Sequence, residues 1–330
     1  MNNSKYILLA ILTCNLCLYG CKKDQANTAD NSSNKISNVI ADNFNLSLFN
    51  TGLSVSGLRA KLFEPGPFTV IAPSDDAFTK AGYPTTVAIL GEVPARISAI
   101  MNYHILNGNY ELNKLPFLFN QEIRSSNGGK LFVTHWVKGA DTVLTINGST
   151  VLAQNVPAAN GLIQVVNRVL EPYTYQQITD AIASDKNLSL FYQAIQRAGL
   201  TDVLNSSGPY SVFAPGNAAM IAYGFPTLAA VNQADPATLK ALIRYHIVNE
   251  RRFIYDYVLS TGTSNQSQQA MLDGNLVKIQ LIPDNTKPGS FSGISLQGTG
   301  NTTTVQLTKQ DVLTGNGVLH TIDGVLKITQ

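Results

Sequence analysis

The sequence predicts an α+β fold made twice in tandem, each copy carrying an antiparallel sheet, on three observations. The first is an internal repeat. Asn45-Leu-Ser-Leu-Phe49 recurs at Asn187-Leu-Ser-Leu-Phe191, Phe68-Thr-Val-Ile-Ala-Pro73 returns as Tyr210-Ser-Val-Phe-Ala-Pro215, and Tyr103-His-Ile-Leu-Asn107 as Tyr245-His-Ile-Val-Asn249. A constant offset of 142 joins Ile36–Asn107 to Ile178–Asn249 without a gap. The second is helical spacing of apolar residues through the first part of each copy, and the third is strand-like alternation with a turn dipeptide in the second part. Helices followed by strands, rather than strict alternation of the two, argue for α+β.

In chain order, Lys5 and the apolar run Tyr6–Tyr19, broken only by Thr13 and Asn15, have the charge and length of a signal-peptide core and are too short to span a bilayer. Leu18-Tyr19-Gly20-Cys21 resembles a bacterial lipobox, which implies cleavage after Gly20 and acylation of Cys21. Cys14 and Cys17 leave with residues 1–20, so the mature chain has no free thiol, disulfide or thiolate metal site. Residues 21–35 contain no large apolar side chain and are expected to form a disordered tether reaching roughly 20 Å. The lipid chains would anchor the protein to a membrane. The expected location is the outer membrane, facing out of the cell.

Within the copies, Ile36, Val39 and Ile40 make one helical stripe, and Leu188, Phe191, Ile195 and Ala198 another. Phe68–Ala72 reads as a short strand stopped by Pro73, followed by Ser74-Asp75-Asp76 as a capped helix start; Asn217 offers the corresponding cap in the second copy. Pro94–Ile105 is the clearest helix, with Ile97, Ile100, Met101 and His104 on one face, matched by Leu239, Leu242, Ile243 and His246. Leu131–Val137 alternates as a strand, and Thr142–Ile146, Asn147-Gly148 and Ser149–Gln154 form a hairpin. Asn160–Leu170 closes copy one and Asn316–Leu326 closes copy two at an offset of 156, so copy two carries 14 extra residues, placed within Ser260–Thr304. Glu171-Pro172-Tyr173 is the expected joint between the copies.

Charge excludes one class of partner. Without Lys5 the chain has 22 basic and 21 acidic residues, and 13% of residues are charged, which leaves no electrostatic footprint for nucleic acid. Catalytic motifs are also missing: there is no His-Glu-x-x-His, no Gly-x-Ser-x-Gly and no phosphate-cradling glycine loop. Asp75 and Asp76 face Asn217 and Ala218 in the second copy, so they are not a shared carboxylate pair. His320 corresponds to Gln164, and His135 has no evident counterpart. His104 and His246 recur, and are expected to be buried neutral imidazoles that hold a helix to the sheet. The lone Trp136 is expected to pack between sheet and helix. Asp141-Thr142-Val143 resembles a short O-glycosylation signal.

Taken together, Phe-Thr-Val-Ile-Ala-Pro-Ser-Asp-Asp-Ala-Phe at 68–78, Tyr103-His104 and Asn160-Gly161-Leu162-Ile163 resemble the first box, central Tyr-His and second box of the fasciclin-like domain, and residues 210–220, 245–246 and 316–326 resemble them again. The resemblance implies two tandem wedge-shaped antiparallel β-sandwiches with packed helices, at 36–172 and 173–330. It implies adhesion or extracellular binding and no known general catalytic activity; from the residues themselves, no cofactor or metal is expected. It also makes Tyr103, His104, Tyr245 and His246 family-motif positions, of structural role. Binding of an extracellular protein or polysaccharide is expected on exposed loops, foremost the extended Ser260–Thr304 region with Ser260, Asn285, Phe291 and Thr304. A carbohydrate-capture lipoprotein serving nutrient uptake and a structural envelope protein are the alternative readings.

Overall fold

A computed structural model describes residues 34–287 and 289–329. The expected signal segment, the acylated Cys21 and the tether as far as residue 33 lie outside the described residues. The end of that tether belongs to the first domain. The Asn34 carbonyl accepts from Ala159 N–H at 2.7 Å. The Lys35 ammonium donates to the Phe63 carbonyl at 2.7 Å and lies 4.1 Å from the centre of its ring.

Copy one runs α1 (Ile36–Ala41), α2 (Ser47–Val55), α3 (Leu58–Lys61), β1 (Phe68–Pro73), α4 (Asp75–Lys80), α5 (Thr86–Leu90), α6 (Pro94–Tyr103), β2 (Ile105–Asn107), β3 (Gln121–Arg124), β4 (Lys130–Lys138), β5 (Asp141–Ile146), β6 (Ser149–Ala158) and β7 (Gly161–Val166). Copy two follows as α7 (Ile178–Ser184), α8 (Ser189–Arg197), α9 (Thr201–Leu204), β8 (Tyr210–Pro215), α10 (Asn217–Tyr223), α11 (Leu228–Gln233), α12 (Pro236–Arg244), β9 (Ile247–Val248), α13 (Ile254–Ser260), β10 (Gln266–Ala270), β11 (Leu276–Pro283), β12 (Phe291–Gly298), β13 (Val305–Thr314) and β14 (Gly317–Ile322). Each copy forms one seven-stranded sheet, in the orders β2-β1-β7-β6-β5-β4-β3 and β10-β11-β12-β13-β14-β8-β9.

The sheets are mostly antiparallel, but not wholly so. β1 pairs with β7 in parallel, Phe68 opposite Gly161, and β8 pairs with β14 in the same way. Parallel neighbours need a long crossover, and here almost the entire copy lies between the two strands. This pairing explains the Asn-Gly that opens each closing strand. A side chain at Gly161 would place its Cβ 1.9 Å from the Phe68 carbonyl oxygen, and one at Gly317 would stand 2.4 Å from that of Tyr210. Only glycine lets the parallel strands approach there.

β1 is buried along its full length because both faces are covered. Val70 and Ala72 pack into a core with Ile40, Phe49, Leu53, Ile97 and Met101 from the helices. Ile71 points the other way, into a core with Tyr103, Leu131, Val133, Leu144, Ile146 and Val166. The β6–β7 pairing is irregular between Val151 and Ala153, and between Ala153 and Val156.

The 14 extra residues of copy two do not form one extended loop at Ser260–Thr304. They are distributed among regular elements. Copy one makes a single turn at Leu112–Lys114 where copy two builds α13, with Ser260 as its last residue. Residues 284–290 join β11 to β12, against 139–140 in copy one, and 299–304 join β12 to β13, against 147–148. Phe291 therefore starts a strand and is half-buried, whereas Asn285 and Thr304 are exposed in the two lengthened turns.

Candidate functional sites: the Tyr-His pairs and the seam between copies

α6 ends at Tyr103, and His104 caps it rather than continuing its apolar face. The ring is fully buried. Its Nε2 accepts from Leu170 N–H at 3.0 Å, so Nδ1 must carry the proton and donate to the Ile100 carbonyl, 2.8 Å away. His246 repeats the arrangement, accepting from Leu326 N–H at 3.0 Å and donating to the Leu242 carbonyl at 2.9 Å. Burial drives both imidazoles down to a pKa of about 4, so they are neutral. Each ties the end of a helix to the segment that follows the closing strand. Tyr103 is likewise buried, donating to the Lys130 carbonyl and accepting from Asn147 Nδ2 at 2.9 Å. Tyr245 donates to the Leu276 carbonyl at 2.7 Å and accepts from Thr299 N–H at 3.2 Å. None of the four presents a free polar edge to solvent.

The other repeated polar residues are spent in the same way. Asn160 accepts from Ile36 N–H at 2.9 Å and donates to the carbonyls of Leu62 and Glu64; Asn316 accepts from Ile178 N–H at 2.8 Å and donates to those of Leu204 and Ser206. Ser74 caps α4, accepting from Ala77 N–H at 3.2 Å. Asp75 instead accepts from Leu48 N–H at 2.9 Å, at the start of α2. Asn217 does not cap its own helix as the sequence predicts. It reaches across to Leu190 N–H at 3.0 Å, and Gly216 stands at the cap position without a side chain to offer.

Positions that differ between the copies gather along the seam between them. Phe132 and Thr134 project from β4 on the face opposite Leu131 and Val133, and they are buried because copy two covers them. Phe132 joins Phe253, Leu313 and Val318 in a small apolar cluster, with the Arg251 guanidinium 3.8 Å from its ring centre. Arg251 donates to the Gly317 carbonyl at 3.1 Å, and burial lowers its pKa to about 10. Asp256, fully buried in α13, accepts from Phe253 N–H at 2.9 Å and from two groups of copy one, Thr134 Oγ1 at 3.0 Å and Asn120 Nδ2 at 3.0 Å. Burial raises its pKa to about 6, against the pull of those hydrogen bonds. Lys138 donates to the Thr261 carbonyl. Arg168 closes the seam with a 2.6 Å ion pair to Asp311, whose other oxygen accepts from Ile254 N–H at 2.8 Å.

Sequence reasoning missed this seam. The signal lay in the copy comparison itself: Asn109, Glu111 and Lys114 become Arg251, Phe253 and Asp256, and Asn155 becomes Asp311. Trp136 belongs to the same face. Its ring packs at a tilt 4.4 Å from that of Phe119, over which Arg252 of copy two lies at 5.1 Å, so it borders the seam rather than a helix of its own domain. His135 bonds the Leu115 carbonyl at 2.6 Å and packs on Phe117. His320 accepts from Asp311 N–H at 3.1 Å and bonds the Arg252 carbonyl at 3.0 Å, with burial lowering its pKa. Thr142 is exposed at the start of β5. Among the described residues, no group of three His, Cys, Asp or Glu side chains could hold a metal ion, and no helix is long and apolar enough to cross a membrane.

Comparison with known proteins adds sequence kinship. The family model described as the fasciclin domain matches residues 44–172 and again 186–328. Human periostin is 27% identical over 277 residues, covering 82% of this chain and 29% of periostin. Human stabilin-1 is 29% identical over 283 residues, covering 82% of this chain and 10% of that protein. The chain thus spans under a third of the length of either relative. Among solved structures, a FAS1 domain pair from the insect cell adhesion molecule fasciclin I matches with a TM-score of 0.42 at 18% identity, covering 85% of this chain and 95% of that one.

Proposed function

Because the chain belongs to the fasciclin domain family in both of its copies, we propose that it is a non-catalytic, adhesion-type lipoprotein that binds an extracellular protein or polysaccharide at the cell surface. One observation carries the reading. The polar residues of the repeated motifs, His104, His246, Asn160 and Asn316, direct their hydrogen bonds to backbone groups of their own domain. A side chain committed in this way builds the fold and has no capacity left for substrate. Recognition then falls to exposed segments in which the copies differ. The foremost is the turn at 284–290 with Asn285, on the strand pair β11–β12. Acylation at Cys21 would hold the domain pair at the membrane.

The test uses intact cells displaying the chain. Residues 284–290 are replaced by Gly-Ala, the turn that copy one uses at 139–140, which preserves both flanking strands. Attachment to matrix-coated or polysaccharide-coated surfaces is expected to fall at least about fivefold. Unchanged attachment would remove this turn from the binding surface, and protection of both domains from external protease would remove the surface reading altogether.

A further inference from the structure

The two sheets have four edges, at β2, β3, β9 and β10, and the chain protects three of them. β2 and β9 are short, and other segments bridge their outer sides. Ser126 N–H donates to the Ile105 carbonyl at 2.6 Å, and Leu272 N–H to the Ile247 carbonyl at 2.7 Å. β3 turns the backbone groups of Glu122 and Arg124 outward. Both side chains are charged and ion-paired, Arg124 to Glu122 at 2.7 Å and Lys130 to Glu122 at 3.2 Å. Short, bridged or charged edges keep a sheet from pairing with another chain.

β10 has none of these protections. It runs as Gln266-Ser-Gln-Gln-Ala270, without charge or proline. Beyond its two ends, Leu281 N–H donates to the Asn265 carbonyl and Met271 N–H to the Asn275 carbonyl, both at 2.9 Å. The register between these bonds makes Ser267 and Gln269 the residues that bond β11. It turns the N–H and C=O groups of Gln266, Gln268 and Ala270 away from the sheet. All three residues are exposed. The Gln266 carbonyl accepts from Ser264 Oγ at 3.1 Å and the Ala270 carbonyl from Gln269 Nε2 at 2.8 Å, which leaves each oxygen a second lone pair. Among the described residues, no further strand takes up the three outward N–H groups.

We propose that a second copy of the chain pairs here, β10 against β10, so that two seven-stranded sheets continue as one across a two-fold axis. The three outward residues are symmetric about Gln268. An antiparallel two-fold through that residue sets Gln268 opposite its mate and Gln266 opposite Ala270, and every outward N–H then meets a C=O. The two Gln268 side chains face each other with a donor and an acceptor apiece. Charge does not oppose the pairing. Lys278, opposite Gln268 on β11, would stand three strand spacings from its mate, roughly 14 Å and beyond the screening length. Asp273, in the turn that ends β10, accepts from Asn275 N–H at 3.1 Å and Asn275 Nδ2 at 2.8 Å, and would face the uncharged Thr261–Asn265 of the second copy. An extended peptide from an unrelated protein fits less well. Such peptides are selected by pockets for alternate side chains, and the cavities between the copies and beside α10 are lined by other elements. An edge of five residues makes a small interface, so the dimer is a weak one. The pairing rests on β10 alone and stands apart from the adhesion reading.

The test uses the full chain with Cys21→Ser, which cannot be acylated, so that lipid-driven association does not intrude. Sedimentation over increasing concentration is expected to show a reversible dimer, with exchange of the Gln268 amide slowing as the dimer forms. Gln268→Pro removes an outward N–H and leaves the bonds of Ser267 and Gln269 to β11 in place. Gln268→Lys sets two like charges opposite each other. Each is expected to weaken dimerisation at least about tenfold. The Ser267 and Gln269 amides should stay as protected as in the parent, which separates loss of pairing from loss of the strand. The proposal is overturned if the chain stays monomeric up to about 1 mM. It is equally overturned if both variants dimerise like the parent, or if the Gln268 amide slows only when an unrelated extended peptide is added.

Discussion

His104 and His246 make the stability of the protein depend on pH in a direction that can be worked out. Unfolded, each titrates near the ordinary value of 6.5; folded, each is held near 4, chiefly by burial. Between those values the unfolded chain binds more protons than the folded one, so stability is complete above 6.5 and is lost as pH falls towards 4. The loss reaches about 2 kcal/mol per histidine at about pH 5. Asp256 works in the opposite sense. Its folded value of about 6 lies above the ordinary 3.8, so the same acidification returns about 1 kcal/mol. The net expectation is a weaker protein at pH 5 than at pH 8. Replacing His104 by Leu should cost about 2–4 kcal/mol at pH 8, because Leu170 N–H and the Ile100 carbonyl lose their buried partner. It should also flatten the acid limb of copy one. Urea melts of both proteins at the two pH values check this; an unchanged slope in the variant would mean that the imidazole is not the titrating group.

Among the elements, α13 is the one that copy two has and copy one lacks, and its Asp256 serves both as its cap and as its attachment to β4 of the other domain. Replacing Asp256 by Ala removes the acceptor for Phe253 N–H, Thr134 Oγ1 and Asn120 Nδ2 together. The expected cost is about 2–4 kcal/mol, with faster amide hydrogen exchange in β4 of copy one as well as in α13. Asp76→Ala is the control. Its 2.6 Å pair with Lys80 is two-thirds exposed on both sides, and exposed pairs contribute about 0–1 kcal/mol. The helices, the hairpin turn and the Asn-Gly boxes were legible in the sequence because their causes are local: Ile97, Ile100 and Met101 recur at helical spacing, and Gly161 stands where a strand begins. α13 was not legible as a docking helix. Nothing within Ile254–Ser260 distinguishes a helix that covers its own sheet from one that covers a neighbour. Phe132 and Thr134 read as an ordinary outward face of a strand, and only the second domain buries them. The parallel β1–β7 pairing was hidden for a similar reason, since the partners lie at opposite ends of the copy and no turn between them sets the register.

At the scale of the whole molecule, the seam decides whether the chain behaves as two domains or one. Its contacts are of the kinds that resist separation: an apolar cluster around Phe132 and Phe253, a guanidinium stacked on a ring, a buried carboxylate with partners from both sides, and the Arg168–Asp311 pair. Opening the seam would leave Asp311, now 1% exposed, without Arg168, and Asp256 without its two bonds from copy one. Uncompensated buried charges and donors are costly, on the order of several kcal/mol in sum. Each copy's unfolding would therefore remove support from the other, and the pair should melt as a single cooperative transition despite holding two separate cores. Phe132→Ala combined with Arg168→Ala strikes the seam with little intrusion into either main core. Phe132 belongs to the inter-copy cluster, and Arg168 is about one-third exposed. Calorimetry of the double variant is expected to resolve two transitions, the first lying below that of the parent by about 2–4 °C per kcal/mol lost from a domain of this size. Two transitions already present in the parent, unmoved by the double variant, would show that the seam orients the domains without coupling their stability.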